Sequence, residues 1–600
     1  MEMSESFRIV VLGDFHIKDY AETKRAVEDV SNCRPDLVVP LGDFGSGDKI
    51  GSPAGLEEAY AFLKTVGAPI RPILGNHDLQ RESGGGPQAP GTMTNRLLAL
   101  FNLDKPYGAV EKEEFRLFFL STDYQKPEIC YQVQEVFISD AQFNWVVAKL
   151  KERPGVPAIF FSHAPPVGCG LRTVPSVHVR ATNAYLDQNH NPLRWLELIK
   201  SFPEIVCWFS AHYHLGHGLP DTASFRYGTY FFNTGVHSSA ARDSSRVSRV
   251  VDLSSNSLKV HTLDHEKRGL TEEGSWRWNK PLRELFMVTK ENKLQEGSLT
   301  CLAKCFVGEG QLLAHGLVCL NRDRFLVATE DGYVWEAEPA LECVWGTLHL
   351  GEPVNSLALS TDGIWLAWGK TILRVDPKDP WRFVRQKAGR KGKEGDELPL
   401  QIDCLAPRQG GGVWIAACDT LWQASAKKSP LKLLQLPERM KRLTADGKYL
   451  WLHGSSGKLW RLTCDNFEVS QVKQEVMACD EWRGDRVELI EEKDRLRLLY
   501  YSDGKLGWQR DFEKKENTRQ CQVLCLGAER ALFNYYGQVI FCDGRSNKVL
   551  ETDAHAVAFT RVEPESKHKN PNEFCLAFAA SNEKAFPQLQ VWSCCSLSLS

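Results

Sequence analysis

Short apolar runs alternate with amphipathic stretches through the first 265 residues. Strand-length runs fall at Phe7–Leu12, Asp36–Leu41, Ile70–Leu74, Phe115–Leu120, Ala158–Ser162 and Ile205–Ser210. Helical periodicity falls at Ala21–Val30, Ser139–Lys151 and Leu193–Phe202. In the second of these helices a capping serine precedes Phe143, Val146, Val147 and Leu150, whose spacing puts them on one face. That face is expected to be core. Strands alternating with helices predict an α/β layered domain over residues 1–265.

From about residue 297 the pattern changes to a repeated unit: an apolar strand, a polar turn often containing Asp-Gly, and a second strand ending in a large apolar residue. Copies run over Phe325–Trp335, Ile364–Leu373, Val413–Trp422 and Leu450–Trp460, and less regular ones end at Trp508, Phe541 and Trp592. Their spacing of roughly 40 to 50 residues is that of four-stranded propeller blades. Residues 297–600 are therefore expected to form an all-β propeller, and seven copies predict seven blades. A β-sandwich with shared Asp-Gly hairpins is the alternative; repetition over some 300 residues favours the propeller. The polar stretch 266–296, with Trp276 and Trp278, reads as a linker or a strap, and the insert Lys387–Asp396 as a solvated loop.

A chain of 600 residues exceeds what one hydrophobic core supports, so two or more domains are required. With 42% hydrophobic and 25% charged residues the composition is globular. A net charge of -3 gives no global electrostatic pull toward nucleic acid or anionic membrane. No apolar run approaches the roughly 18 to 20 residues of a membrane span. Met1–Ser6 is acidic where a signal peptide would be basic, so a cytoplasmic location is expected. The 18 cysteines are scattered through apolar stretches without any C-x-x-C pair. They read as reduced structural thiols, including the close pairs Cys301 with Cys305 and Cys521 with Cys525.

Five segments of the first domain concentrate metal-ligand chemistry, each where a predicted strand ends: Asp14-Phe-His16, Gly42-Asp43, Gly75-Asn-His-Asp78, Ser162-His163 and Ala211-His-Tyr-His214. In open α/β sheets, ligand sites gather outside the carboxyl ends of strands. Asp14, His16, Asp43, Asn76, His163, His212 and His214 supply carboxylate, imidazole and amide donors, a set suited to Mn, Fe, Zn or Co rather than Ca. Seven ligands exceed the needs of one ion. Two metals are implied, with Asp43 as the bridge.

In order and placement these segments resemble the calcineurin-like metallophosphoesterase superfamily, whose pattern runs D-x-H, G-D, G-N-H-[DE], H and G-H-x-H. The resemblance covers about 260 residues and departs at one point, Ala211 standing where the family has glycine. It implies that Asp14, His16, Asp43 and His214 hold one metal, and that Asp43, Asn76, His163 and His212 hold the other. It also implies a catalytic His77 above the pair, stabilising the phosphoryl group or protonating the leaving oxygen, with Asp78 orienting its ring. The reaction so implied is phosphoester hydrolysis by a metal-activated hydroxide, with two divalent or mixed-valence ions (Mn, Fe or Zn) as cofactors.

Leu74 before Gly75, and Phe44-Gly-Ser46 after Asp43, depart from the phosphoprotein phosphatases, and Ser46 replaces the tyrosine ligand of purple acid phosphatases. Asp14-x-His16, His163-Ala-Pro-Pro166 and Asp140–Trp145 look more like bacterial class III cyclic-nucleotide phosphodiesterases, so a phosphodiester is the expected substrate, with a phosphomonoester as the variant. The chain has no G-x-x-x-x-G-K-[ST] loop and no G-x-S-x-G elbow. Gly84–Thr94 reads as a mobile substrate-side loop. A protein partner is expected at the propeller. The competing reading is a scaffold in which that partner is everything and the first domain has lost activity; the intact ligand set weighs against it.

Overall fold

The computed structural model describes residues 6–79, 91–124, 135–174, 184–277 except 256, and most of 300–594, apart from 377–394, 515–521, 563–573 and shorter intervals. The chain divides into two compact units, residues 1–293 and 294–600.

The first unit begins with β1 (Phe7–Leu12), β2 (His16–Ile17), α1 (Tyr20–Asn32), β3 (Leu37–Pro40), β4 (Gly45–Ser46), α2 (Pro53–Leu63) and α3 (Thr92–Phe101). It continues through β5 (Gly108–Glu111), β6 (Arg116–Phe119), α4 (Asp140–Glu152), β7 (Ala158–Phe161), α5 (Leu193–Ser201) and β8 (Ile205–Ser210). β9 (Ala223–Arg226), β10 (Thr229–Asn233), β11 (Val247–Ser254), β12 (Ser257–Asp264) and β13 (Gly269–Arg277) complete it. One sheet has the order β13-β12-β11-β1-β3 and the other β5-β6-β7-β8-β10-β9. β1 with β3, and β6-β7-β8-β10, pair in parallel, which carries their carboxyl ends to one edge of each sheet.

Strand alternation sorts the side chains. Ile9, Val11, Val39 and Val251 from one sheet meet Leu117, Phe119, Phe161 and Phe209 from the other in the central core. Val10, Leu12, Val38 and Val250 point the opposite way, onto Val27, Leu56, Leu63 and Leu97 of α1 to α3. On the outer face of the second sheet Phe118, Phe160 and Trp208 stack at 4.7 Å intervals across three paired strands, covered by Trp145 and Trp195 of α4 and α5. The result is four layers, helix–sheet–sheet–helix, as the alternation predicted.

Local signals set the helix starts. Asp19 accepts the Glu22 amide at 2.8 Å, Ser52 caps α2 with Pro53 at its first position, and Ser139 accepts the Gln142 amide at 3.3 Å. On α4 the fully buried residues are Gln142, Val146 and Leu150, while Phe143 and Val147 are half-buried. Gln142 is buried because its amide bridges Ser121 and Asp123. The expected strand Ile70–Leu74 makes a single parallel bridge, Val38 to Ile70; Ile73 N–H still donates to Pro40 O at 3.1 Å, but Pro40 has no N–H to complete the next bridge. Residues 269–277 of the expected linker form edge strand β13, paired to β12. Residues 84–90 of the expected mobile loop, 278–296 of the linker and 387–394 of the insert lie outside the described residues, and Thr92 already begins α3.

The second unit is a β-propeller. Among the described residues it holds seven four-stranded antiparallel sheets. The first strands of neighbouring sheets lie side by side, for instance Leu312–Cys319 with Val354–Ser360 and Val354–Ser360 with Ile402–Pro407. Ala556–Val562 returns to lie beside Leu312–Cys319, closing the circuit. The last sheet takes its fourth strand, Thr300–Phe306, from the beginning of the unit, paired with Pro587–Cys594. The seven repeat end points fall in seven different sheets, six on the third strand and Trp508 on the fourth. Cys33, Cys169, Cys207, Cys404, Cys479 and Cys542 are buried thiols; the side chains of Cys301, Cys305 and Cys521 lie outside the described residues.

Candidate metal centre

Each candidate ligand stands just beyond the carboxyl end of a strand. Asp14 and His16 follow β1, Asp43 follows β3, Asn76 and His77 follow the Ile70 bridge, His163 follows β7, and His212 and His214 follow β8. Backbone bonds fasten these loops together. Phe15 N–H donates to Gly42 O at 2.9 Å, and β2 pairs with β4 in parallel, His16 opposite Gly45. Ala211 N–H donates to His163 O at 2.7 Å.

Asp78 is the clamp for two of the loops. Fully buried, its carboxylate accepts the amides of Asp43 (2.8 Å), Phe44 (2.9 Å) and Gly75 (2.7 Å). Gly75 must be glycine, since a Cβ there would lie 2.2 Å from Asp43 Oδ1 and 2.7 Å from His163 Cε1. The departure at Ala211 costs nothing visible, because the left-handed residue of that turn is His212 (φ 73) and Ala211 itself is not in that region.

These constraints converge the side chains. Ligand atoms lie within 4.8 Å of one another in three overlapping groups: Asp14, Asp43, His163 and His212; Asp14, His16 and His214; His16, Asp43 and His77. His214 Nε2 is 2.5 Å from Asp14 Oδ2, and His163 Nε2 is 3.2 Å from Asp43 Oδ2. His16 Nε2 stands 3.9 Å from both carboxylates. Asp14, His16 and Asp43 each join two groups, and the two carboxylates link all three. His77 differs from the others: its Nε2 is 4.0 Å from Asp43 Oδ2, and a fifth of its side chain is exposed.

Burial dominates the protonation states. It pushes the His16 and His212 imidazoles down to about 3, leaving neutral rings with lone pairs to give. His163 is also disfavoured by burial, but the Asp43 and Asp14 carboxylates reverse this and raise it to about 9. Asp43, against the pull of its own burial, is lowered to about 2 by His163 and His77. Asp78 is raised to about 7 by burial and by Asp43 beside it.

Two features fit a bound cation. Asn76 is 1% exposed, yet neither polar atom of its side-chain amide has a partner among the described residues, a costly state that ligation by Oδ1 would relieve. His16 Nδ1 is likewise buried without a hydrogen bond among the described residues. The donor set is imidazole, carboxylate and amide oxygen, as first-row divalent ions require.

Residues 7–216 match the family model for calcineurin-like phosphoesterases. The first unit carries a metallophosphoesterase domain. The calcineurin-like model ends just beyond His214, so it takes in the whole ligand set and stops before β9 to β13. A comparison with curated proteins finds no match. Solved structures similar to part of the chain include the Pan2 WD40 domain of Neurospora crassa, at 10% identity and TM-score 0.36, covering 51% of this chain and 98% of that one. The RRP9 WD40 repeats (10%, TM-score 0.37) cover 49% and 100%, and the WD40 propeller domain of Doa1 (11%, TM-score 0.36) covers 49% and 96%.

Sequence reasoning missed the loop after Val236, which braces two of the candidate ligands, His16 and His214. Ser238 Oγ donates to His16 O at 2.6 Å, and Ala240 O lies 3.2 Å from His214 Nδ1. It escaped notice because Ser-Ser-Ala-Ala carries no ligand chemistry of its own.

Proposed function

We propose that the first unit is a metal-dependent phosphoesterase acting on a phosphodiester or a phosphomonoester. The observation that carries this reading is the convergence of two carboxylates and four imidazoles, with the side-chain amide of Asn76 buried and unpartnered among the described residues. Asp14, His16, Asp43 and His214 would hold one ion, and Asp43, Asn76, His163 and His212 the other. Such a pair supplies hydroxide at neutral pH and neutralises charge on the phosphoryl group. The protein groups do the rest. His77, half-buried at the rim with Asp43 behind its ring, holds a proton toward the leaving oxygen. Asp78 acts as a positioning residue, fixing Asp43 and the Gly75 turn through their amides. The propeller supplies a surface for a protein partner or for the physiological substrate. Buried thiols in both units support a reducing compartment such as the cytoplasm. Among the described residues no helix is long and apolar enough to cross a membrane.

The test is a substrate panel. Full-length protein stripped of metal and reloaded with Mn, Fe or Zn is assayed on bis(p-nitrophenyl) phosphate, p-nitrophenyl phosphate and cyclic nucleotides. Hydrolysis that appears only on reloading is the expected result, and equal activity in fully stripped protein would exclude the binuclear mechanism.

A further inference from the structure

The loop between β10 and β11 is fixed at its base and along its length. Val236 and Arg246 form a parallel bridge, and Arg246 Nε donates to His237 O at 3.1 Å. Glu22 of α1 accepts the Ser239 amide at 3.3 Å and lies 3.5 Å from Arg246 Nη1. The far side of the loop is zipped to the segment that carries the last two histidine ligands. Arg242 N–H donates to His214 O at 2.9 Å, and Arg242 Nε to Tyr213 O at 3.0 Å. Asp243 Oδ2 accepts the Gly216 amide at 2.7 Å.

Arg242 is thus held at its backbone and at Nε, beside the peptide between His212 and His214. Its terminal nitrogens have no hydrogen-bond partner among the described residues, and the residue as a whole is exposed. Asp243 is spent on Gly216 and Ser245, not on Arg242. Burial disfavours the guanidinium's charge, and among the described residues the carboxylate of Asp14, a candidate ligand, acts to favour it. A planar cation with its inner nitrogen tethered and its outer pair open is pre-set for the oxygens of a phosphate.

We propose that Arg242 forms an anion subsite at the rim of the metal centre and takes a phosphoryl oxygen that the cations leave free, favouring phosphoesters that carry more than one negative charge. The inference rests on the phosphoesterase reading and names its substrate class. Tethering through Nε lowers the ordering cost of the interaction, since only the terminal pair has to align.

The experiment uses metal-loaded full-length protein, with inorganic phosphate as the probe in calorimetric titrations, and the variants Arg242→Gln and Arg242→Lys. Arg242→Gln should keep the metal content of the wild type and weaken phosphate binding about tenfold or more; Arg242→Lys should recover part of the loss and bind with a steeper salt dependence. In kinetics, Arg242→Gln should lower kcat/KM on dianionic p-nitrophenyl phosphate about tenfold more than on monoanionic bis(p-nitrophenyl) phosphate, chiefly through KM. A purely structural arginine would lower both substrates alike. Phosphate binding unchanged in Arg242→Gln, no phosphate binding by the wild type, or loss of metal in both variants would overturn the subsite. Arginine-dependent phosphate binding by a protein that hydrolyses no ester would keep the subsite and sink the phosphoesterase reading.

Discussion

Both units place non-glycine residues in left-handed backbone: the propeller at hairpin turns, and the first unit both at hairpin turns, such as Tyr227 (φ 54) between β9 and β10, and inside its buried cluster, for a different reason. In the propeller, Asp503 (φ 48) and Gly504 (φ 76) are the two turn residues between Arg495–Ser502 and Lys505–Glu513, and Cys418 (φ 53) serves the hairpin between Val413–Ala417 and Thr420–Ser425. Positive φ there matches the twist of the paired strands, so the conformation assists folding. In the first unit Asp43 (φ 57), His212 (φ 73) and His214 (φ 55) adopt it inside a buried cluster. Each costs of order 1–3 kcal/mol with no turn to be gained, and is held by its neighbours: Asp78 fixes the Asp43 amide, and Asp14 Oδ1 accepts the His212 amide at 2.7 Å. Left-handed backbone that assists the hairpins is, in the buried cluster of the first unit, imposed by the surrounding fold, where it aims the candidate ligands. The same division appears in buried charge. Among the described residues, every group able to hold a metal lies in the first unit, whereas buried Asp480 of the second accepts the amide of Cys525 in the next sheet.

The sharpest way to break this contrast is to remove the shared carboxylate. Asp43→Ala should reduce hydrolysis to background and empty the paired site, as read by metal analysis, while the propeller's thermal transition stays in place. Wild-type turnover in that variant would refute the assignment. Next in size, His77→Ala should retain both metals and lose about 10² to 10⁴-fold in turnover; a fall in metal content would make His77 a ligand. The protonation states give a third test. His163, raised to about 9, must shed a proton to offer Nε2, whereas His16 and His212, at about 3, have none to lose near neutrality. Metal affinity should therefore weaken as pH falls below about 9, by up to tenfold per unit, with about one proton released per site filled. Titrations in buffers of different ionisation enthalpy would read that proton, and a pH-independent affinity would contradict it.

Smaller effects probe the separation of the units. A fragment ending after Arg277, which keeps edge strand β13, should hydrolyse a small activated diester within about tenfold of the full chain, or roughly 1.4 kcal/mol of barrier. A monodisperse, metal-loaded but inactive fragment would show that propeller residues complete the site. Smallest of all, Gly504→Ala meets no neighbouring atom but places a Cβ at φ 76, so it should cost the propeller about 1 kcal/mol in denaturant unfolding and leave hydrolysis unchanged.

The layered class of the first unit and the candidate ligands were legible in the sequence because strand ends, hard ligands and apolar alternation are local signals. The four strongest propeller repeats each enclose an observed hairpin for the same reason. What escaped was non-local. Gln142 reads as an exposed helix position, yet it is buried by bonds to a loop some 20 residues earlier. Asp78, expected to orient His77, accepts the amides of Asp43, Phe44 and Gly75, which no spacing rule encodes. β11 and β12 fell inside the expected domain without being named as strands, and β13 fell in the stretch read as linker or strap; Arg249 of β11 is fully buried and pairs with Glu273 of β13. Burial of a charge with its partner leaves no trace in hydropathy.

Among the described residues, the strand Thr300–Phe306 finds its strand partner, Pro587–Cys594, almost 300 positions later. At translation rates of about 5–20 residues per second, it emerges from the ribosome roughly 15 to 60 s before its mate is made. Throughout that interval the nascent propeller is an open arc with an unpaired edge, the state most exposed to wrong pairing between chains on a polysome. The metallophosphoesterase fold, whose last strand is already synthesised, can close while the rest of the chain still waits for its clasp.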